Sequence, residues 1–164
     1  MTSEARFLLN VGVLGSVWGA LIGACTFAWL KGRAAERFGA SLYFFSALGF
    51  LGLVLITRDS MPVAAESLVD GAVAVGFLFL AVRYNKLWLG AAMVAKGVQL
   101  GLHATHMTEL KDAYIGPFNL YTTSLDLVSI LISGTIFAGT LADLRARRGT
   151  SDPEQAASAW PSPA

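Results

Sequence analysis

Four polar residues occur at regular intervals within one otherwise apolar stretch. In "AAMVAKGVQLGLHATHM", Ala91 to Met107, they are Lys96, Gln99, His103 and His106, which are three, four and three positions apart. Residues three or four positions apart lie on one face of an α-helix, so this spacing predicts a single polar stripe. An ammonium, an amide and two imidazoles on one face could pair with carboxylates, bind a polar solute or transfer protons.

Three carboxylates occur in the neighbouring apolar stretches. Glu66 and Asp70 are one helical turn apart, and Asp126 shares a face with serine and threonine residues. A single charge at the centre of a membrane helix costs roughly 2.5–3.5 kcal/mol, so we expect Lys96 to pair with Asp70 or with Asp126. One lysine cannot neutralise three carboxylates. At least one acid must be protonated, be solvated from outside, or face a protonated histidine or a bound cation.

This polar cluster allows three interpretations. Its charges could hold the helices in register, or they could line a water-filled cavity that opens to the outside and binds a solute or relays protons. A metal site of His103, His106 and Glu109 is the third interpretation, but no other stretch supplies a soft ligand. We therefore predict no metal and no cofactor.

Catalytic and nucleic-acid-binding signatures are missing from the sequence. It contains no G-x-S-x-G, H-E-x-x-H, Walker A or paired C-x-x-C motif. The basic clusters are short and lie between apolar stretches. We therefore predict no catalytic residues, no enzymatic activity and no nucleic-acid binding.

The composition is that of a membrane protein. Of 164 residues, 55% are hydrophobic and 14% are charged, compared with about 25% charged in soluble domains. The mean hydropathy is +0.59. About 20 apolar residues cross the hydrocarbon core of a bilayer, so five apolar stretches predict five transmembrane helices. They are Phe7–Leu30, Gly39–Ile56, Pro62–Val82, Leu87–Met107 and Leu120–Ala142.

Lysine and arginine are concentrated in alternate connections. They follow the first, third and fifth apolar stretches and are scarcer after the second and fourth. Under the positive-inside rule, this pattern predicts an outside N-terminus and an inside C-terminus. Aromatic residues near the ends of the stretches fit the same orientation. We expect Trp29, Tyr43, Tyr84 and Trp88 at the inner interface, and Tyr114, Phe118 and Tyr121 at the outer one.

The first stretch carries a face of small residues. Gly12, Gly15, Gly19 and Gly23 follow one another in steps of three and four. In lipid, such faces let two helix backbones pack closely. The face predicts a contact either with another helix of this chain or with another membrane subunit.

The segment "RYNKLWLGAAMVAKGVQLGLHATHM", with "SGT" at 133–135 and the basic end that follows, resembles a group of small uncharacterised bacterial inner-membrane proteins. Those proteins share a basic turn, a Trp-led span with a Thr-His pair near its exit, and a Gly-Thr in the last span. The corresponding residues here are Trp88, Thr105, His106, Gly134 and Thr135. The resemblance covers the last two stretches; it implies a bacterial inner membrane and no particular activity.

Together these features predict an all-α protein, a polytopic membrane helix bundle over residues 1–149 with a flexible tail over 150–164. Small size, the glycine face and the tail favour a non-catalytic accessory or assembly subunit of a larger bacterial inner-membrane complex. Its expected partners are the lipid bilayer and other membrane subunits, which it would contact through the first span. The alternative is a small transporter, sensor or proton-pathway protein that uses an outward-facing polar cavity around Lys96.

Overall fold

Five α-helices make up the described part of the chain. The structure, a computed structural model, describes residues 3–57, 63–108 and 120–150. Apart from the two-residue turns at 32–33 and 85–86, every described residue is helical, which confirms the predicted all-α class. The helices are α1 (Ser3–Lys31), α2 (Ala34–Thr57), α3 (Val63–Tyr84), α4 (Leu87–Thr108) and α5 (Leu120–Thr150).

Four of these helices are long and apolar enough to cross a membrane. Their apolar portions are Gly12–Lys31, Ala34–Ile56, Ala64–Tyr84 and Tyr121–Gly149, in α1, α2, α3 and α5. The fourth helix has 22 residues, but its polar stripe lowers its hydropathy. That all five helices, including α4, cross a membrane stays a prediction.

The helices pack as a closed ring in chain order. Each helix contacts the next along the chain, and α1 closes the ring by packing against α5. Asn85 ends α3 in the left-handed conformation, with φ of 49°. Its N–H donates to the carbonyl of Ala81 at 2.8 Å, which completes the last helical turn. Such short turns make successive helices antiparallel neighbours.

The second helix begins earlier than its apolar stretch. It starts at Ala34, not Gly39, because Glu36 in its first turn accepts a hydrogen bond at Oε2 from the N–H of Arg33 at 3.0 Å. A side chain that satisfies an unpaired N–H stabilises the start of a helix.

The fifth helix continues beyond its apolar stretch into basic sequence. It extends past Ala142 to Thr150, and Asp143 is the anchor of that extension. Its carboxylate binds Lys86 of the α3–α4 turn at 3.3 Å and also binds Arg147, one helical turn later. These contacts bring the end of α5 beside the α3–α4 turn.

Both described turns and the C-terminal part of α5 lie at one end of the ring. The ring of Trp88 on α4 lies against Gly39 of α2 and Gly139 of α5, which places the three helices side by side there. We call this the basic end. Its basic residues are Lys31, Arg33, Arg37, Arg83, Lys86, Arg145, Arg147 and Arg148.

We predict that Gly139→Ala destabilises the protein. A Cβ at Gly139 would overlap the Trp88 ring, whereas a Cβ at Gly134 on the same helix meets no described atom within 4 Å. Overpacking costs typically about 1–3 kcal/mol, which exceeds the roughly 1 kcal/mol gained by replacing a helical glycine with alanine. The thermal midpoint in mild detergent should fall for Gly139→Ala and stay level or rise for Gly134→Ala. Equal midpoints would contradict the packing of Trp88.

Candidate functional site

The ammonium group of Lys96 is buried and paired. Lys96 is 5% exposed, and its Nζ lies 2.6 Å from Oδ1 of Asp70 on α3. The ring centroid of Tyr43 on α2 is 5.6 Å from the same nitrogen, within the range of a cation–π contact. Nine residues of helix place Lys96 about 14 Å from the start of α4. Of the two pairings left open by the sequence, the structure contains Lys96 with Asp70.

The other oxygen of Asp70 faces a histidine. Asp70 Oδ2 lies 3.0 Å from Nε2 of His103, which is 2% exposed. On its far side, Nδ1 of His103 lies 2.5 Å from the hydroxyl of Tyr121 on α5. That hydroxyl is 3.4 Å from Oε2 of Glu66 on α3. We call Lys96, Asp70, His103, Tyr121 and Glu66 the relay chain.

The order of donors and acceptors fixes the proton positions in the relay chain. An ionised Asp70 only accepts hydrogen bonds, so Nε2 of His103 carries a proton. In the neutral ring, Nδ1 then accepts a hydrogen bond from the hydroxyl of Tyr121. In the protonated ring, Nδ1 donates instead, and the hydroxyl proton of Tyr121 points to Glu66. One added proton therefore reverses the direction of the Tyr121 hydroxyl.

A second set of contacts joins α2, α4 and α5 beside the relay chain. Gln99, which is 4% exposed, donates from Nε2 to Oγ of Ser129 at 3.3 Å. The carbonyl of Ser129 accepts hydrogen bonds from the hydroxyls of Tyr43 and Ser133, both at 3.0 Å. Gln99 Oε1 is buried and has no hydrogen-bond partner among the described residues.

A cavity of about 330 Å³ lies against these groups, and all five helices contribute to its wall. Glu66 and Asp70 come from the first turns of α3, whereas His103 comes from the last turns of α4. Because successive helices are antiparallel, these positions fall in the half of the ring opposite the basic end. The remainder of the wall is largely apolar and aromatic, and includes Trp18 of α1 and Phe50 of α2.

The structure brings together six of the seven predicted polar residues; the side chain of the seventh, His106, is not among those described. Lys96, Gln99, His103, Glu66, Asp70 and Asp126 all line the cavity. Asp126 is partly exposed and, within the described residues, forms no ion pair. The side chain of His106 lies outside the described residues, as do Glu109, Tyr114 and Phe118.

Two tyrosines have roles that their positions in the sequence do not predict. Tyr43 is 4% exposed and lies in the core against α5, so its predicted place at the inner interface is wrong. The sequence predicts Tyr121 only as an aromatic residue at the outer interface, whereas in the structure it connects His103 to Glu66. Helical spacing could have indicated this role, because Tyr121 lies two turns before Ser129 on the face of α5 that lines the cavity.

The glycine face of α1 points away from the other described helices. Gly12, Gly15, Gly19 and Gly23 are exposed, and a Cβ added at any of them would meet no atom of the described residues within 4 Å. A contact with another helix of this chain is thus not present among the described residues. A contact with another subunit stays a prediction.

Metal coordination has no support in the described residues. No group of three or more histidine, cysteine, aspartate or glutamate side chains in residues 3–57, 63–108 and 120–150 could hold a metal ion.

Comparison with known proteins identifies no relative: the chain matches no protein-family model, no curated protein and no solved structure.

We predict that Asp70→Asn destabilises the protein more than Lys96→Met does. Asp70→Asn leaves the buried ammonium without a carboxylate, and removing one partner of a buried pair costs about 3–5 kcal/mol. After Lys96→Met, Asp70 keeps His103 as a partner, so the loss should be smaller. The double variant Lys96→Met/Asp70→Asn should be more stable than Asp70→Asn alone.

The stabilities of all three variants are measured as free energies of unfolding in mixed detergent micelles. Equal losses for the two single variants, or losses that simply add in the double variant, would contradict the bridging position of Asp70.

Proposed function

We propose that this chain is a small integral membrane protein that conducts protons across the membrane by way of its central polar cavity. The observation that supports this function is the hydrogen-bonded connection from Glu66 through Tyr121 and His103 to Asp70, with each step 3.4 Å or shorter. Ionisable side chains that pair within a membrane bundle are characteristic of proton relays.

The donor and acceptor order permits a complete transfer. A proton on Glu66 moves to the hydroxyl oxygen of Tyr121, while the hydroxyl's own proton moves to Nδ1 of His103. The imidazolium then gives its Nε2 proton to Asp70. Glu66 is left ionised, His103 is neutral, and Asp70 is neutral. Because a neutral Asp70 no longer compensates the charge of Lys96, proton arrival weakens their ion pair.

In this proposal all five helices cross the membrane, including α4. The polar residues Lys96, Gln99 and His103 are buried inside the ring, and exposed positions such as Val94 and Val98 are apolar. A helix of this kind presents a lipid-compatible surface although its mean hydropathy is lowered by the buried groups. The positive-inside rule puts the basic end in the cytoplasm and the cavity on the outer side. The resemblance of the last two helices favours a bacterial inner membrane.

We predict that Tyr121→Phe abolishes most proton flux while preserving the fold. The substitution removes only the hydroxyl that connects His103 to Glu66. Positioned proton transfer typically contributes about 10²–10⁴-fold to a rate, so we expect about a hundredfold loss. The measurement uses the full chain in liposomes that contain a pH-sensitive dye, after an acid jump outside.

Tyr84→Phe is the matched control, because Tyr84 stacks against Phe38 at the basic end, away from the cavity. It should retain the flux of the unmodified chain. The proposed function would be contradicted if the unmodified chain gave proton flux no faster than empty liposomes. It would also be contradicted if Tyr121→Phe gave the same flux as the unmodified chain.

The second candidate function is an accessory subunit of a larger membrane complex. Its support is the exposed glycine face of α1. Glycine weakens a helix by roughly 1 kcal/mol relative to alanine, and close packing against another helix offsets that cost. A partner helix laid along Gly12 to Gly23 would supply such packing.

We predict that Gly15→Leu and Gly19→Leu reduce the native size of the gently extracted protein. The Cβ of each leucine meets no atom of the described residues within 4 Å, so the fold should persist while a partner helix is excluded. Gly49→Leu on α2 is a matched control, since its Cβ also meets open space. An unmodified chain that migrates alone, or a complex that survives both substitutions, would contradict the accessory function.

A further inference from the structure

The cavity wall carries more negative than positive charge. Glu66, Asp70 and Asp126 line it, and Lys96 compensates Asp70 directly. Protonation of His103 adds one positive charge, which also lies beside Asp70 and within 3.8 Å of Glu66. Asp126 has no ion-pair partner among the described residues in either state of His103. A wall with an uncompensated carboxylate attracts a positive charge.

Gln99, which lines this wall, carries a buried hydrogen-bond acceptor without a partner among the described residues. Gln99 Oε1 is buried, and Gln99 uses its amide nitrogen on Ser129. An unmade hydrogen bond at a buried acceptor is unfavourable, so a ligand that donates there gains binding free energy. Asp126 likewise only accepts when it is ionised. The wall therefore favours a ligand that both carries positive charge and donates hydrogen bonds.

Aromatic rings and a modest volume define the rest of the ligand. Trp18, Phe50 and Tyr121 line the same cavity, and aromatic faces attract organic cations. The volume of about 330 Å³ is at the lower end of the range for small-molecule sites, about 300–1,000 Å³. These features suit a molecule with an ammonium head and a short apolar body.

Two other ligand classes fit the wall less well. An anion would need the positive charge of Lys96, which lines the wall but is already paired with Asp70 at 2.6 Å. A multivalent metal would need several ligands, and no group of three or more histidine, cysteine, aspartate or glutamate side chains among the described residues could hold a metal ion. We infer that the cavity binds a small protonated amine, with Asp126 compensating its charge and Gln99 Oε1 accepting one of its N–H groups. This inference rests on the proposed function, because it uses the same water-accessible intramembrane cavity.

The experiment is calorimetric titration of the full chain in lipid nanodiscs with n-butylammonium chloride. We expect saturable binding that weakens about tenfold or more in Asp126→Asn, because a charged partner of the ammonium is lost. Gln99→Met keeps the length of the side chain but removes the acceptor, so it should weaken binding severalfold even if Asp126→Asn does not fold. Asp143→Asn, which removes a carboxylate at the basic end, should bind as the unmodified chain does.

Matched probes separate the contributions to binding. Butanol lacks the charge, butanoate reverses it, and tetramethylammonium keeps the charge but has no N–H. We expect no binding of the first two and weaker binding of the third. The inference would be overturned if butanol or butanoate bound as tightly as n-butylammonium. It would also be overturned if Asp126→Asn and Gln99→Met both bound n-butylammonium as tightly as the unmodified chain, or if equimolar sodium displaced n-butylammonium.

The same preparations distinguish this inference from the proposed function. Proton flux in liposomes without n-butylammonium binding overturns the amine site and leaves the proton pathway intact. Binding without proton flux supports the amine site and refutes the proton pathway.

Discussion

The interior of this protein depends on the contacts of the Asp70 carboxylate with Lys96 and His103. An ammonium group inside an apolar bundle needs a counter-ion, and Asp70 supplies it to Lys96 through one oxygen. Its other oxygen holds Nε2 of His103, two helical turns further along α4. One side chain of α3 thus fixes two polar side chains of α4. It sets the register of these helices and decides which nitrogen of His103 is protonated.

The ring of helices turns three separate polar stripes into one site. Short turns make α3 and α4 antiparallel neighbours, so the first turns of α3 meet the last turns of α4. The N-terminal half of α5 lies on the other side of α4 and adds Tyr121, Asp126 and Ser129. Apolar and aromatic residues of α1 and α2 face these stripes. They provide no counter-charge, so a cavity with surplus carboxylates remains between the polar and apolar walls.

Helical spacing was enough to predict the polar stripe and the partners available to Lys96. It could not choose between Asp70 and Asp126, because both lie on helices next to α4 and the choice depends on how those helices are rotated. Tyr43 was misplaced because an aromatic residue near the end of an apolar stretch fits both an interface and a core. The glycine pattern likewise identified a face of α1 without showing what covers it. The early start of α2 depends on Glu36, a local contact that hydropathy does not detect.

Nitrogen NMR of the histidines tests the bridging position of Asp70 most directly. The chain contains two histidines, so ¹⁵N-histidine labelling of a His106→Gln variant in bilayers leaves the signals of His103 alone. In the neutral form of the ring we predict a proton on Nε2, with Nδ1 accepting a hydrogen bond from Tyr121. Adding Asp70→Asn should shift the Nε2 signal or change the tautomer. A ring protonated only at Nδ1, or a His103 spectrum that does not respond to Asp70→Asn, would contradict the relay chain.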